Sequence, residues 1–243
     1  MTTRAVSTLI RCALGSLAMG AALTACTEQS PGGSAVDAAV QPADLATTSA
    51  PDQAQLTMSF FITSDTGSGD LGGLAGADAR CQRLAQAVGA GAKKWAAYLS
   101  ATASGGQNAV NARDRIGTGP WYNYNLVMIA DSVAGLHQAT VNINKTTGLD
   151  ETGKTVPGFG DTPNQHDILT GSDANGMVSG TATCANWTSS AGSGVSAMVG
   201  HFDRMGGGAA PTSWNAAHTT PSCSAASLMS VGGAGRLYCF ATN

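Results

Sequence analysis

The chain has 243 residues and a formal net charge of −3, with charged side chains at only 11% of positions, well under the quarter usual in globular domains. Four lysines in the whole chain leave no basic footprint for DNA or RNA, so no nucleic-acid partner is expected. Glycine, at 32 residues, is about twice its usual share and predicts a loop-rich body of short elements and tight turns.

Arg4 and Arg11 flank an apolar, small-residue stretch from Cys12 to Ala25, shorter than the roughly 20 residues a spanning helix requires. Residues 1–25 therefore read as a signal segment. Its end, Leu23-Thr24-Ala25-Cys26, resembles a bacterial lipobox, which implies cleavage before Cys26 and acylation of its thiol. An ordinary signal peptide with a chance cysteine is the alternative. Residues 26–57 are Ser, Thr, Ala, Pro, Gln and Gly with scattered acids, too little apolar surface to offset the entropy of ordering. They read as a disordered, lipid-anchored stalk. The expected location is exported and lipid-anchored to a bacterial cell envelope, at the outer membrane or cell surface, with the membrane met through the anchor only.

Residues 58–243 hold every tryptophan, tyrosine and phenylalanine, and suit one domain with a substantial core. Met58–Thr63 reads as a first strand. Ala77, Cys81, Leu84, Ala85 and Val88 recur at helical spacing, which predicts an amphipathic helix over 74–88. Trp95–Ser100 and Leu126–Ala130 are strand-like, and 131–165 is broken by glycine and proline. Strands are expected at Asp167–Gly171, at Thr181–Thr188 around Cys184 and Trp187, and at Ser196–Phe202. A last one, Arg236–Thr242, alternates Leu237, Cys239 and Ala241 with Tyr238 and Phe240. One main N-terminal helix with many short strands and long loops makes the fold class α+β. Cys81, Cys184, Cys223 and Cys239 are an even set outside a reducing compartment, so two disulfides are expected, with three pairings open.

The order of these features resembles the C-type lectin-like fold, in particular its endostatin-like branch and bacterial lectin-like lipoproteins. The carrying residues are the helical Cys81, Trp95-Ala96-Ala97-Tyr98-Leu99-Ser100, Cys184 to Trp187, Ser222-Cys223 and Leu237-Tyr238-Cys239-Phe240. The resemblance implies nested bridges Cys81–Cys239 and Cys184–Cys223. In the chain-entropy model these would stabilise by roughly 5 and 4 kcal/mol. It also implies non-catalytic recognition of carbohydrate or protein by long loops.

Gly148-Leu149-Asp150-Glu151-Thr152-Gly153-Lys154-Thr155 matches the phosphate-loop pattern by letter. Pro157, Gly158 and Gly160 leave no helix to follow it, and Asp150 and Glu151 repel phosphate, so it reads as a turn. No G-x-S-x-G or H-E-x-x-H occurs, and no cysteine of the domain is expected to stay free as a nucleophile. No catalytic residue is assigned and the chain is read as a non-enzyme. The alternatives are an envelope structural or adhesion protein without sugar binding, and an exported hydrolase using His201 or His218.

The candidate ligand-binding set is His166, Asp167, His201, Asp203, Arg204, Asn215 and His218, with Trp121, Tyr122 and Tyr124 as aromatic platforms. Alternation along a strand at Gly200–Arg204 would put His201 and Asp203 on one face. Asp203, Asn215 and Asp173 are candidate metal ligands, with calcium the candidate cofactor, since carboxylate and amide oxygens suit it. Trp214-Asn215 stands where calcium-binding members carry Trp-Asn-Asp, but Ala216 follows and the sugar-specific Glu-Pro-Asn tripeptide is absent. Two histidines with an aspartate offer zinc a donor set instead, without a recognised spacing. The bland alternative is that His166-Asp167 and His201 with Asp203 are hydrogen-bonded pins for long loops.

Overall fold

A computed structural model describes residues 57–243, so the leader, Cys26 and all but the last residue of the stalk lie outside the described residues. The fold is α+β, ordered around its final strand. This strand, β8 (Gly233–Ala241), is buried along its whole length and pairs with three partners. β1 (Phe60–Ile62) and β2 (Trp95–Ala97) run antiparallel to it, with Phe61 opposite Cys239 and Ala97 also opposite Cys239. β5 (Asp167–Leu169) runs parallel to it, then β6 (Met198–His201) and β7 (His218–Thr219) extend the sheet antiparallel. A separate hairpin joins β3 (Trp121–Tyr122) and β4 (Met128–Ala130).

Both faces of β8 are covered, which is why its side chains read as an apolar run rather than an alternation of apolar and polar. Leu237, Cys239 and Ala241 pack with Phe61, Trp95 and the buried stripe of α1 (Gly73–Ala87), namely Ala77, Cys81, Leu84 and Ala85. Tyr238 and Phe240 face the opposite way, into Phe60, Tyr98, Trp121, Ile129 and Trp214. Asp78 on the polar side of α1 accepts the Ala97 N–H at 2.8 Å and pairs with Arg115, tying the helix to β2. The bridges are Cys81–Cys239, which fixes α1 to β8, and Cys184–Cys223. A 3-10 turn at Ala112–Asp114 and three short helical segments complete the described fold: α2 (Val133–Leu136), α3 (Cys184–Trp187) and α4 (Ala225–Ser230). No helix among the described residues is long and apolar enough to cross a membrane.

The strand expected at Thr181–Thr188 is not there. Cys184, Ala185, Asn186 and Trp187 have φ of 48°, 53°, 56° and 65°, one turn of left-handed helix. Such a turn costs about 1–2 kcal/mol per residue for L-amino acids and must be held from outside. The disulfide to Cys223 holds one end, and Trp187 Nε1–H donates to Ser100 O at 2.7 Å at the other. Between them Asn186 Oδ1 accepts the N–H and hydroxyl of Thr102. The phosphate-loop lookalike is a turn, as expected: Asp150 Oδ1 accepts the N–H of Thr152 and of Lys154, and Asp150 N–H donates to Lys154 O.

Candidate metal centre and binding depression

Three adjacent strands bring the acid and the histidines together. Asp167, first residue of β5, sits directly opposite His201, last residue of β6. On the next strand His218 is paired with Val199, two residues before His201 and so on the same face. Strict alternation would send His166 and Asp167 to opposite faces. They converge because His166 precedes the strand and the pairing with β8 slips between Asp167 and Ile168, whose partners are Gly233 and Arg236. Gly200, between Val199 and His201, carries no side chain because the Trp214–Asn215 backbone lies where a Cβ would be.

The result is a buried carboxylate ringed by imidazoles. His166 Nε2 and His201 Nε2 lie 3.2 and 3.1 Å from Asp167 Oδ1, and His218 Nε2 lies 3.3 Å from Asp167 Oδ2. The side chains of Asp167 and His201 are each 1% exposed, that of His218 21%. The other nitrogen of each ring has its own oxygen: His166 Nδ1 stands 3.1 Å from Asp203 Oδ1, His201 Nδ1 3.0 Å from Pro211 O, and His218 Nδ1 3.2 Å from Thr219 O. Both Asp167 oxygens and His201 Nε2 nevertheless lack a hydrogen-bond partner, so the short contacts around Asp167 are not aligned as hydrogen bonds.

Burial works to raise the Asp167 pKa, but the His201 and His218 contacts and the neighbouring imidazole charge outweigh it and hold it below the usual carboxylate value. Asp203 is likewise lowered against burial, by His166 and by the Phe159 and Met205 N–H groups. His218 is raised by its contact with Asp167. Over the cluster lies an open depression of about 340 Å³ whose lining includes His166, His201, His218, Phe159 and Asn164. A larger one, about 500 Å³, lies between Thr102, Thr183 and Ser196, and its lining holds no titratable side chain. Another, about 480 Å³, is lined by Asp65, Arg80 and Arg83, already paired with one another, so the histidines of the smaller one are the candidate chemistry.

Comparison with protein-family models and with curated proteins finds no match for this chain.

Several expected site residues fall elsewhere. Trp121 is no platform: it is 1% exposed and its Nε1–H donates to Ala241 O at 3.0 Å. Tyr122 is half-buried in the same hairpin, while Tyr124 is exposed but does not line the depression. The strand expected to align His201 and Asp203 ends at His201, and Asp203 reaches the cluster from the following turn through His166. Arg204, at φ 60°, turns its guanidinium away to Thr212 O, Val141 O and Ala139 O, pinning two loops.

The three expected calcium ligands each have partners of their own. Asn215 is 1% exposed; its amide nitrogen donates to Tyr98 Oη and Asp173 O, and its Oδ1 accepts from Ser213. Asp173 Oδ1 accepts the N–H groups of Asn175 and Met177, closing a local turn. Asp203 spends both oxygens on His166, Phe159 N–H and Met205 N–H. These oxygens are committed to separate hydrogen-bond partners. Sequence reasoning missed Phe159, which lies in the segment read only as broken loop. An exposed aromatic in a Gly/Pro loop was the available signal.

Proposed function

We propose that the chain is an exported, lipid-anchored binding protein whose C-type lectin-like domain recognises a carbohydrate or protein ligand without catalysis. The observation that carries this is Phe159. Its ring is 48% exposed at the rim of the depression, 5.7 Å from the His166 imidazole. An aromatic face beside a few polar groups grips the apolar face of a sugar or a peptide side chain while hydrogen bonds fix its orientation. Asn164 supplies such a polar group on the same rim. The nested order of the two disulfides and a last strand bonded to the main helix support the lectin-like reading of the fold. Disulfides also suit export, and a lipid-anchored stalk would let weak contacts act together at a surface.

Glycan and extracellular-protein arrays probed with the full chain test the reading. Retention by a defined subset, lost in Phe159→Ala at unchanged melting temperature, is the expected result. A folded wild type that retains nothing on either array contradicts it, and retention of protein alone turns the reading to adhesion. One observation favours hydrolysis instead: His218 is partly exposed and in contact with a buried acid, the acid–histidine pairing a hydrolytic site uses. That reading requires a turnover that His218→Ala abolishes.

A further inference from the structure

We infer that His166, Asp167, His201 and His218 hold one divalent transition-metal ion of the zinc class at the floor of this depression. The inference deepens the binding reading, since it concerns the same site, but its test reads metal rather than ligand, so the two fail separately.

The tautomers carry the argument. Asp203 carboxylate, Pro211 carbonyl and Thr219 carbonyl oxygens only accept, so the Nδ1 facing each of them is the protonated nitrogen. In a neutral ring that leaves a bare lone pair on Nε2. All three Nε2 atoms are then directed at Asp167, itself an acceptor only. Acceptors facing acceptors in a dry site are repulsive, and Asp167 Oδ1, Oδ2 and His201 Nε2 are indeed without hydrogen-bond partners. A proton on His218 would satisfy Asp167 Oδ2 but leave the His166 and His201 lone pairs facing Oδ1; protonating those rings as well gathers three cations around one carboxylate, two of them on buried rings stacked 4.1 Å apart. A metal cation accepts all of these lone pairs at once.

The distances agree. A tetrahedral ion with bonds of about 2.0–2.1 Å separates its donor atoms by about 3.3–3.4 Å. The His166 and His201 Nε2 atoms stand 3.2 and 3.1 Å from the same oxygen, Asp167 Oδ1. His166, Asp167 and His201 form the tight set, each with a donor atom within 4.8 Å of the others. His218 approaches the second oxygen of Asp167 from the exposed side and lies outside this tight set, so it turns onto the ion to supply the fourth donor. Imidazole nitrogens with one carboxylate suit zinc and its neighbours, whereas calcium and magnesium want oxygen. Asp203 behind His166 is the outer carboxylate that fixes a metal-binding imidazole. Gly232 leaves the room this ring needs, since a Cβ there would stand 3.2 Å from His166 Nε2.

The test uses the full chain, stripped with chelator and titrated with Zn²⁺ and, for its visible absorption, Co²⁺. One equivalent should bind, with intense tetrahedral Co²⁺ bands and a rise in melting temperature. His166→Ala and Asp167→Asn should each weaken binding at least about 100-fold. His218→Ala, on the exposed edge, should keep the metal-free melting temperature of the wild type, yet bind more weakly and lose the tetrahedral Co²⁺ signature. Folded wild type that binds no equivalent of either ion overturns the inference. So does binding that His218→Ala and Asp167→Asn leave unchanged.

Discussion

His166 and His201 stack with ring centroids 4.1 Å apart and planes within 17°, both buried and each held through Nδ1 by a different oxygen. The two rings come from the residue before β5 and the last residue of β6, so their parallel orientation is set by the sheet and by Asp203 rather than by each other. Replacing the outer carboxylate should therefore loosen the site without dismantling it. Asp203→Asn is expected to lower Zn²⁺ affinity by about 10- to 100-fold, measured by competition with a chelator. Equal affinity in the two proteins would mean that His166 needs no such partner.

Asn215 belongs to the core rather than to a ligand site, and this can be measured. Tyr98 Oη accepts the Asn215 amide at 3.0 Å and donates to His137 Nε2 at 2.8 Å, because His137 Nδ1–H is taken by Val133 O. Removing the hydroxyl in Tyr98→Phe leaves buried polar atoms without partners, at a cost of about 1–3 kcal/mol. Urea unfolding should show that loss for Tyr98→Phe, with Zn²⁺ and ligand binding unchanged. A fall in binding without a fall in stability would return Asn215 to the site.

The same chain of hydrogen bonds predicts an acid-sensitive step. Burial lowers the His137 pKa below its ordinary 6.5, helped by Arg113 and opposed by the Val133 carbonyl and Asp173. The unfolded chain then binds more protons than the native one between the lowered value and 6.5. Stability is thus lost as pH falls below 6.5 and regained as it rises. Unfolding midpoints measured between about pH 7.5 and 5 in chelator should fall more steeply for wild type than for His137→Gln. Parallel curves would remove His137 from the account.

The outer bridge should matter more than the inner one. Cys81–Cys239 closes a separation of 158 residues and Cys184–Cys223 one of 39. Chain entropy gives about 5 against about 4 kcal/mol, both upper values. The inner bridge also restrains the left-handed turn at Cys184–Trp187, so its loss should selectively raise hydrogen exchange at Thr102 and Trp187. Denaturant unfolding of Cys81→Ala/Cys239→Ala and Cys184→Ala/Cys223→Ala, with exchange by mass spectrometry, checks both statements.

Much of the frame was legible in the residues. The stripe at Ala77, Cys81, Leu84 and Ala85 gave α1 within one residue at each end, and alternation correctly divided Leu237, Cys239 and Ala241 from Tyr238 and Phe240. The cysteine pairing matches what the resemblance implied, which spacing alone left open. The turn at Cys184–Trp187 was not legible, because its left-handed backbone is imposed by contacts with Ser100 and Thr102, more than 80 residues away in sequence. Trp121 was misplaced because an aromatic in a turn-rich segment looks the same whether it lies on a surface or packs under Phe240. The histidine cluster was half legible. His166, Asp167, His201 and His218 were singled out, but their convergence depends on a slipped register against β8 that no local pattern marks.

The most direct test of the central claim is anomalous diffraction at the zinc edge from crystals of the zinc-loaded protein. The account predicts a single strong peak about 2.0–2.2 Å from His166 Nε2, His201 Nε2 and an Asp167 oxygen, with His218 turned onto it. Crystals that carry no anomalous peak between these side chains, after loading at saturating zinc, would contradict it.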